Sequence, residues 1–498
     1  MFDLRYLCLL TLVSPLLLPG CAPSRSDTPV GYTPKTGESL SGKGQALLQA
    51  KQQEIKEEKA KADAAKALEE AKAKAKLKDP ALAVRVHPER PIRLGGVFVY
   101  GLGDGPDPME DSAHTGTKIS DNNRDWVAAN CDVAAFNAIN IVPDTFRVMT
   151  RAQPVFTPLL YAYASTLFEQ PEHRGSVGGW QPAMSDWTLR DEKGIEVPHP
   201  DKGGHWMDFG SETWATHWQA NAIKQVGIYG AQGIVAAELP IGNTFVPDTL
   251  QKYKNPADRL AATSQWLRTA RAPGQFLLIP SAVGFDALAG HVTQPLPIGT
   301  QEPELSGRIW DELFPLINGA WVEGWVTPYW SGEPLPDAQW ELHVEAADRA
   351  DRNDQVLIVC AAYHNDDELE YALASFLMGY HKQGRCCFQP MPLRAGQPAD
   401  AGLSLAVFRK EITTKVNFFS PALGAALQER HPIRVEGGDV WRRVFQGGDI
   451  YVNSDDNRAK TLRFSGPLRR LNGKVIRQIT LPPHSGVILL HMEEGKSS

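Results

Sequence analysis

Asn318-Gly319-Ala320-Trp321-Val322-Glu323-Gly324-Trp325 is an apolar run bounded by glycines and too short for a helix. Such a run reads as a buried strand, expected over 319–326. A buried strand does not carry an unpaired carboxylate, because desolvating the charge costs several kcal/mol. Glu323 is therefore either paired with a neighbouring cation or placed at the strand's end, facing a cleft. Trp321 and Trp325 flank it, and tryptophan is the residue type that stacks on flat apolar faces such as those of sugar rings.

Working outward, an alternation of strands and helices occupies 91–430. Strand-like runs fall at 94–100, 133–137, 155–164, 233–239, 275–280, 319–326, 355–362 and 386–390, with the clearest helices at 211–229, 256–271, 338–349 and 367–381. Eight strands with helices between them predict an α/β fold, a (β/α)8 TIM barrel, whose site is built at the strands' C-terminal ends. Long segments after the first and third strands account for its excess length. From 435 to 491 the pattern changes to short runs separated by Gly, Asn, Asp and Pro, which predicts a small C-terminal antiparallel β domain packed on the barrel.

The N-terminal part carries an address. Residues 7–18 are apolar over a signal-peptide length and end in Leu18-Pro19-Gly20-Cys21. That ending resembles a bacterial lipobox, with Cys21 the lipidated residue, so 1–21 is expected to be a lipoprotein signal peptide. An ordinary cleaved signal peptide is the alternative. Ala22, rather than Asp, follows the cysteine, which points to a lipid anchor in the outer membrane of the bacterial cell envelope. Residues 22–42 read as a flexible tether. Residues 43–79, rich in Ala, Lys and Glu, read as a helical spacer, roughly 50 Å long at 1.5 Å per residue. Its sparse large apolar residues keep no heptad, which favours a solvated spacer over a coiled coil.

At 498 residues the chain exceeds the reach of a single core. Its net charge of −7 gives no reason to expect nucleic acid as a partner. No C-x-x-C spacing is present, and the acidic run at 103–111 has no EF-hand spacing, so no metal and no cofactor are expected. The adjacent Cys386 and Cys387 form either a vicinal disulfide or, as the simpler expectation, a buried reduced pair. Nothing in the sequence specifies an oligomer, and a monomer is expected.

These motifs together resemble the glycoside hydrolase-like families with a TIM barrel. The 318–325 stretch is similar to their "D-G-x-x-x-E-x-F/W" strand. Met207-Asp208-Phe209 and Gly233-Ile-Val-Ala-Ala-Glu238 resemble their "D-x-x-x-P…G-x-D-G-V-F-x-D" stretch, and 448–453 with 481–486 resembles their closing β domain. The resemblance implies an envelope-anchored glycosidase acting on a carbohydrate. Glu323 would be the general acid and Glu238 the nucleophile or base. One departure weighs against this: laid over the family pattern without a gap, the fourth-strand aspartate falls on Ala237, one place before Glu238. A catalytically inactive polysaccharide-binding lipoprotein is therefore the second expectation. Asp208 is read either as a substrate-binding carboxylate or as a helix N-cap. Trp180, His205 and Trp206, in a long loop with Trp187, suggest a sugar platform, or else plugs that pack the loop down. Trp321, Trp325, Tyr363 and His364 complete the expected substrate contacts.

Overall fold

The computed structural model describes residues 96–99, 118–154, 156–169, 178–197, 199, 203–237, 239, 250–253, 256–282, 313–322, 324–328, 332–380, 385–393, 405–419 and 423–492. The signal peptide with Cys21, the tether and the spacer expected over 1–79 lie outside these residues, as do Glu238 and Glu323. Among the described residues no helix is long and apolar enough to cross a membrane.

Eight strands, all parallel and neighbours in chain order, form the main sheet. They are β1 (Gly96–Val99), β2 (Val133–Asn137), β3 (Thr157–Tyr163), β6 (Gly233–Ala237), β7 (Leu277–Ala282), β8 (Gly319–Val322), β9 (Val356–Tyr363) and β10 (Arg385–Pro392). A two-stranded ribbon, β4 (Thr166–Phe168) with β5 (Gly204–Trp206), stands in the excursion after β3. The helices are α1 (Asp121–Asn130), α2 (Thr145–Ala152), α3 (Glu212–Tyr229), α4 (Pro256–Ala270), α5 (Asp337–Arg352), α6 (Asp366–Gly379) and α7 (Leu405–Thr414). Three of them begin at a side chain the sequence supplies for the purpose. Ser120, Ser211 and Asn365 accept from the backbone N–H three residues on, which satisfies one of the orphan donors of a first turn.

The sheet is rolled, and the burial pattern shows why. One set of alternating side chains, among them Val133, Leu159, Val235, Ile279, Trp321 and Ile358, forms a core of its own with no helix residue in it. The other set, including Phe136, Leu160, Ile234, Leu278, Val322 and Val359, packs against Trp214, Trp266, Trp340 and Phe376 of the helices. A face that packs only on itself must be concave, and β1 lies beside β10; this is the barrel arrangement. Gly319 is small because β9 passes close: a Cβ there would overlap the Val356 carbonyl.

The C-terminal sheet has the order β11-β12-β13-β16-β14-β15 and is antiparallel throughout. Its strands are β11 (His431–Val435), β12 (Gly438–Phe445), β13 (Gly448–Asn453), β14 (Lys460–Arg470), β15 (Val475–Leu481) and β16 (Ser485–His491). It starts at His431, four residues before the expected 435, because Pro432 disguises an edge strand where a missing N–H is tolerated. β14, at 11 residues, is longer than the short runs expected, continuing past a register shift between Arg463 and Leu468. Cys386 and Cys387 are both buried free thiols. Consecutive strand residues face opposite ways: Cys386 joins the outer core and Cys387 the interior.

Candidate active site at the barrel mouth

The interior is aromatic towards its C-terminal end. Trp321 meets Tyr161 edge-on with centroids 6.0 Å apart, and Tyr161 meets Tyr163 at 5.5 Å. Tyr163 contacts Phe168 at 5.7 Å, Phe168 contacts His199 at 5.5 Å, and His199 contacts Trp206 at 4.6 Å. A continuous file of rings thus runs from the interior into the excursion after β3. Polar groups fix its inner end: the Trp321 indole N–H donates to Cys360 Sγ at 2.8 Å, and Cys360 Sγ donates to Gln389 Oε1 at 3.2 Å. Tyr161, Tyr163, Cys360 and Gln389 were not singled out from the sequence. The period-two pattern Leu159-Leu-Tyr161-Ala-Tyr163 carries the signal for the tyrosines, since alternate residues share a face. Ala237 is the last residue of β6 and belongs to the interior.

The backbone just beyond β8 is strained. Val326 has φ 38°, a rare conformation for a β-branched residue. It is the centre of a γ-turn in which Thr327 N–H donates to the Trp325 carbonyl. The turn is held from outside: Val326 N–H donates to His343 Nδ1 of α5 at 3.3 Å, and Leu335 N–H donates to the Val326 carbonyl at 2.9 Å.

Several expected substrate contacts turn out to be framework. Trp325 is fully buried; its indole donates to the Ala372 carbonyl of α6 at 3.1 Å, and its ring packs on His343 and Phe376. It has no face left for a sugar. Trp321 is 5% exposed and forms interior wall rather than an open platform. Trp206, 4% exposed, packs with Leu189, Val197 and Phe209 in the loop's own core. Tyr363 points outward, donating to Glu411 Oε2 of α7 at 2.9 Å, with Lys415 4.7 Å over its ring. Burial, then the Glu411 carboxylate, pushes its hydroxyl far above the ordinary tyrosine range.

Asp208 is neither an open carboxylate nor the cap of α3, which is Ser211. Its Oδ1 accepts from Tyr253 Oη at 2.5 Å and Gly210 N at 3.0 Å, and its Oδ2 accepts from Lys252 Nζ at 2.7 Å. It therefore clamps the segment before α4 onto the loop.

Three of the expected contacts remain at least partly open. Trp180 is half-buried and stacked on His205, centroids 3.9 Å apart and planes 5° from parallel. His205 lies between two glutamates, with Nδ1 2.5 Å from Glu196 and Nε2 3.5 Å from Glu169. His364 is exposed just past the end of β9, its Nδ1 3.0 Å from Glu368 Oε2.

No protein-family model matches the chain, and no curated protein resembles it by sequence. Among solved structures it is similar to an alpha-amylase from Anoxybacillus (TM-score 0.44, 11% identity, 81% of this chain and 98% of that one). It is also similar to an alpha-amylase from Geobacillus thermoleovorans complexed with acarbose (0.42, 11%, 81% and 100%). A third is a GH36 alpha-galactosidase from Geobacillus stearothermophilus in complex with raffinose (0.39, 8%, 81% and 56%). At such scores the likeness assigns no activity.

Proposed function

We propose that this chain is a glycoside hydrolase-like protein that cleaves glycosidic bonds of a polysaccharide or oligosaccharide at the barrel mouth. Glu323 is the general acid, and Glu238 the nucleophile or base. The observation that supports it most is the orientation of Trp321. It faces the aromatic interior near the C-terminal end of β8, the end at which a parallel barrel builds its site, and Glu323 follows it by two residues in the sequence. The half-buried Trp180–His205 stack and the exposed His364 supply substrate contacts. The resemblance of Leu18-Pro19-Gly20-Cys21 to a lipobox supports an outer-membrane lipid anchor through Cys21.

The test is release of reducing ends from a panel of envelope and plant polysaccharides by the wild type, Glu323→Gln and Glu238→Gln. Activity lost in both variants, with folding retained, is the expected result. Activity that survives Glu323→Gln unchanged would overturn the assignment.

A second reading has an observation of its own. Ala237 occupies the last interior position of β6, where the family pattern has its aspartate. A barrel that binds a polysaccharide without cleaving it would retain substrate affinity while releasing no reducing ends.

A further inference from the structure

The C-terminal sheet carries a concave site of its own. A groove of about 360 Å³ opens where the β11–β12 hairpin meets the first turn of α5, a volume within the range of small-molecule sites. Trp441, Asp337, Arg434, Asp455, Arg458 and Lys460 line it. The site is built rather than incidental. The Lys460 side chain is 5% exposed, with Nζ 3.0 Å from Asp455 Oδ2 and 2.9 Å from the Asp439 carbonyl. Asp455 Oδ1 in turn accepts the backbone N–H of Asn457 and Arg458 at 2.8 and 2.9 Å. Gly437 and Gly438, with φ of 101° and 137°, keep that wall bare; a Cβ on Gly438 would come 3.1 Å from Lys460 Nζ.

Two charged groups are left to a ligand. The Arg458 guanidinium is exposed and has no side-chain partner among the described residues. Asp337 Oδ1 accepts the Ser454 hydroxyl, and its Oδ2 has no partner among them. Together with the Arg434–Asp439 pair at 3.3 Å, the lining holds three cations and three carboxylates, so its formal charges cancel. Such a site offers an anion no net attraction. It does suit hydroxyl groups, each of which accepts from a guanidinium while donating to a carboxylate. Trp441, partly exposed, adds an apolar edge.

We propose that this groove binds a neutral saccharide, with Arg458 and Asp337 holding adjacent hydroxyls. The proposal stands apart from the reading of the barrel, because it rests on the groove's own lining. Leu335 N–H donates to the Val326 carbonyl just past β8. The first turn of α5, and the groove with it, therefore stands at the strands' C-terminal side. A glycan held there is held on the side of the mouth.

The full-length protein, Arg458→Ala, Asp337→Asn and Glu323→Gln are titrated calorimetrically with neutral gluco-, galacto-, manno- and xylo-oligosaccharides, and with oligogalacturonate and inorganic phosphate as the anionic arm. The expected result is binding of at least one neutral oligosaccharide by the wild type, weakened tenfold or more in Arg458→Ala and Asp337→Asn at unchanged Tm. Glu323→Gln is expected to retain it. Hydrolysis, followed separately, reports on the barrel and not on the groove. The proposal is overturned if no neutral oligosaccharide binds, if Arg458→Ala binds as wild type does, or if the anionic ligands bind more tightly.

Discussion

Arg443 of β12 donates from Nη1 to the carbonyl of Leu377 at 2.8 Å, which ties the β domain to the C-terminus of α6. The same nitrogen reaches the carbonyls of Met378 and Tyr380 at 2.9 and 2.8 Å. The last carbonyls of a helix lack partners and carry a partial negative charge, so a cation there both satisfies and stabilises them. Burial pulls the guanidinium down to about 10, which leaves it charged at neutral pH.

Arg443→Leu is expected to destabilise the protein by about 3–5 kcal/mol, because it strands a buried helix end. Arg443→Lys, which keeps the charge without the planar fork, is expected to lose less. The denaturant midpoint at unchanged m-value measures both. A loss under about 1 kcal/mol in the leucine variant would show that water replaces the guanidinium.

Glu370 of α6 is buried against the β domain. Its Oε1 accepts from the Ile488 N–H at 2.9 Å, and its Oε2 faces Arg470 at 2.5 Å. Burial raises its pKa although Arg470 opposes the shift, whereas Arg470, which burial pulls down, ends above its ordinary value because Glu370 and Asp367 face it. A carboxylate raised on folding contributes stability below its unfolded pKa of about 4.3 and loses it as pH rises through the folded value. The wild type should therefore gain stability relative to Glu370→Gln as pH falls from 7 towards about 4. Chemical denaturation of the pair across that range gives the sign, and the opposite slope would show that the Arg470 pairing dominates. Glu370→Ala, which leaves Arg470 only the exposed Asp367 and takes the acceptor from the buried Ile488 N–H, should cost about 3–5 kcal/mol.

Gly210 leaves room for the Tyr253 hydroxyl; a Cβ on it would overlap that oxygen. Gly210→Ala is expected to displace Tyr253 from Asp208 and cost about 1–3 kcal/mol. Burial and the Asp208 carboxylate push the Tyr253 hydroxyl well above its ordinary value, so its displacement should bring a tyrosine back into the ordinary titration range. Spectroscopic titration near pH 10 reads that change, and an unaltered titration would mean that the clamp survives.

If Glu323 is the proton donor, Glu323→Gln should slow glycosides with poor leaving groups far more than activated aryl glycosides, which leave without protonation. Equal losses on both substrate types would reassign the acid.

Cys21→Ser should release the protein from the membrane fraction, as read by cell fractionation and metabolic lipid labelling. A variant that remains as firmly bound as the wild type would make the lipobox reading wrong.

Much of the chain path was legible in one dimension, because alternation and capping are local. The run at 133–137 is the strand Val133–Asn137 residue for residue, and Ser211 opens α3 at the position where a cap was needed. The strand expected over 319–326 stops at Val322, and its early end has consequences. Trp321 and Trp325 lie four residues apart, which in one extended strand would put both on the same face. The strand ends at Val322 and the backbone turns at Val326, so Trp321 points inward to Cys360 and Trp325 outward to Ala372. No property of either tryptophan distinguishes them; only the position of the turn does, and His343 and Leu335, distant in sequence, hold that turn. Asp208 gives the same lesson. Its sequence neighbours suit a cap or a sugar contact, but Tyr253 and Lys252, 45 and 44 residues away, occupy its oxygens. Residue type and spacing determined which segments are strands and helices. Long-range packing alone decided which side chains are spent on the framework and which remain for a ligand.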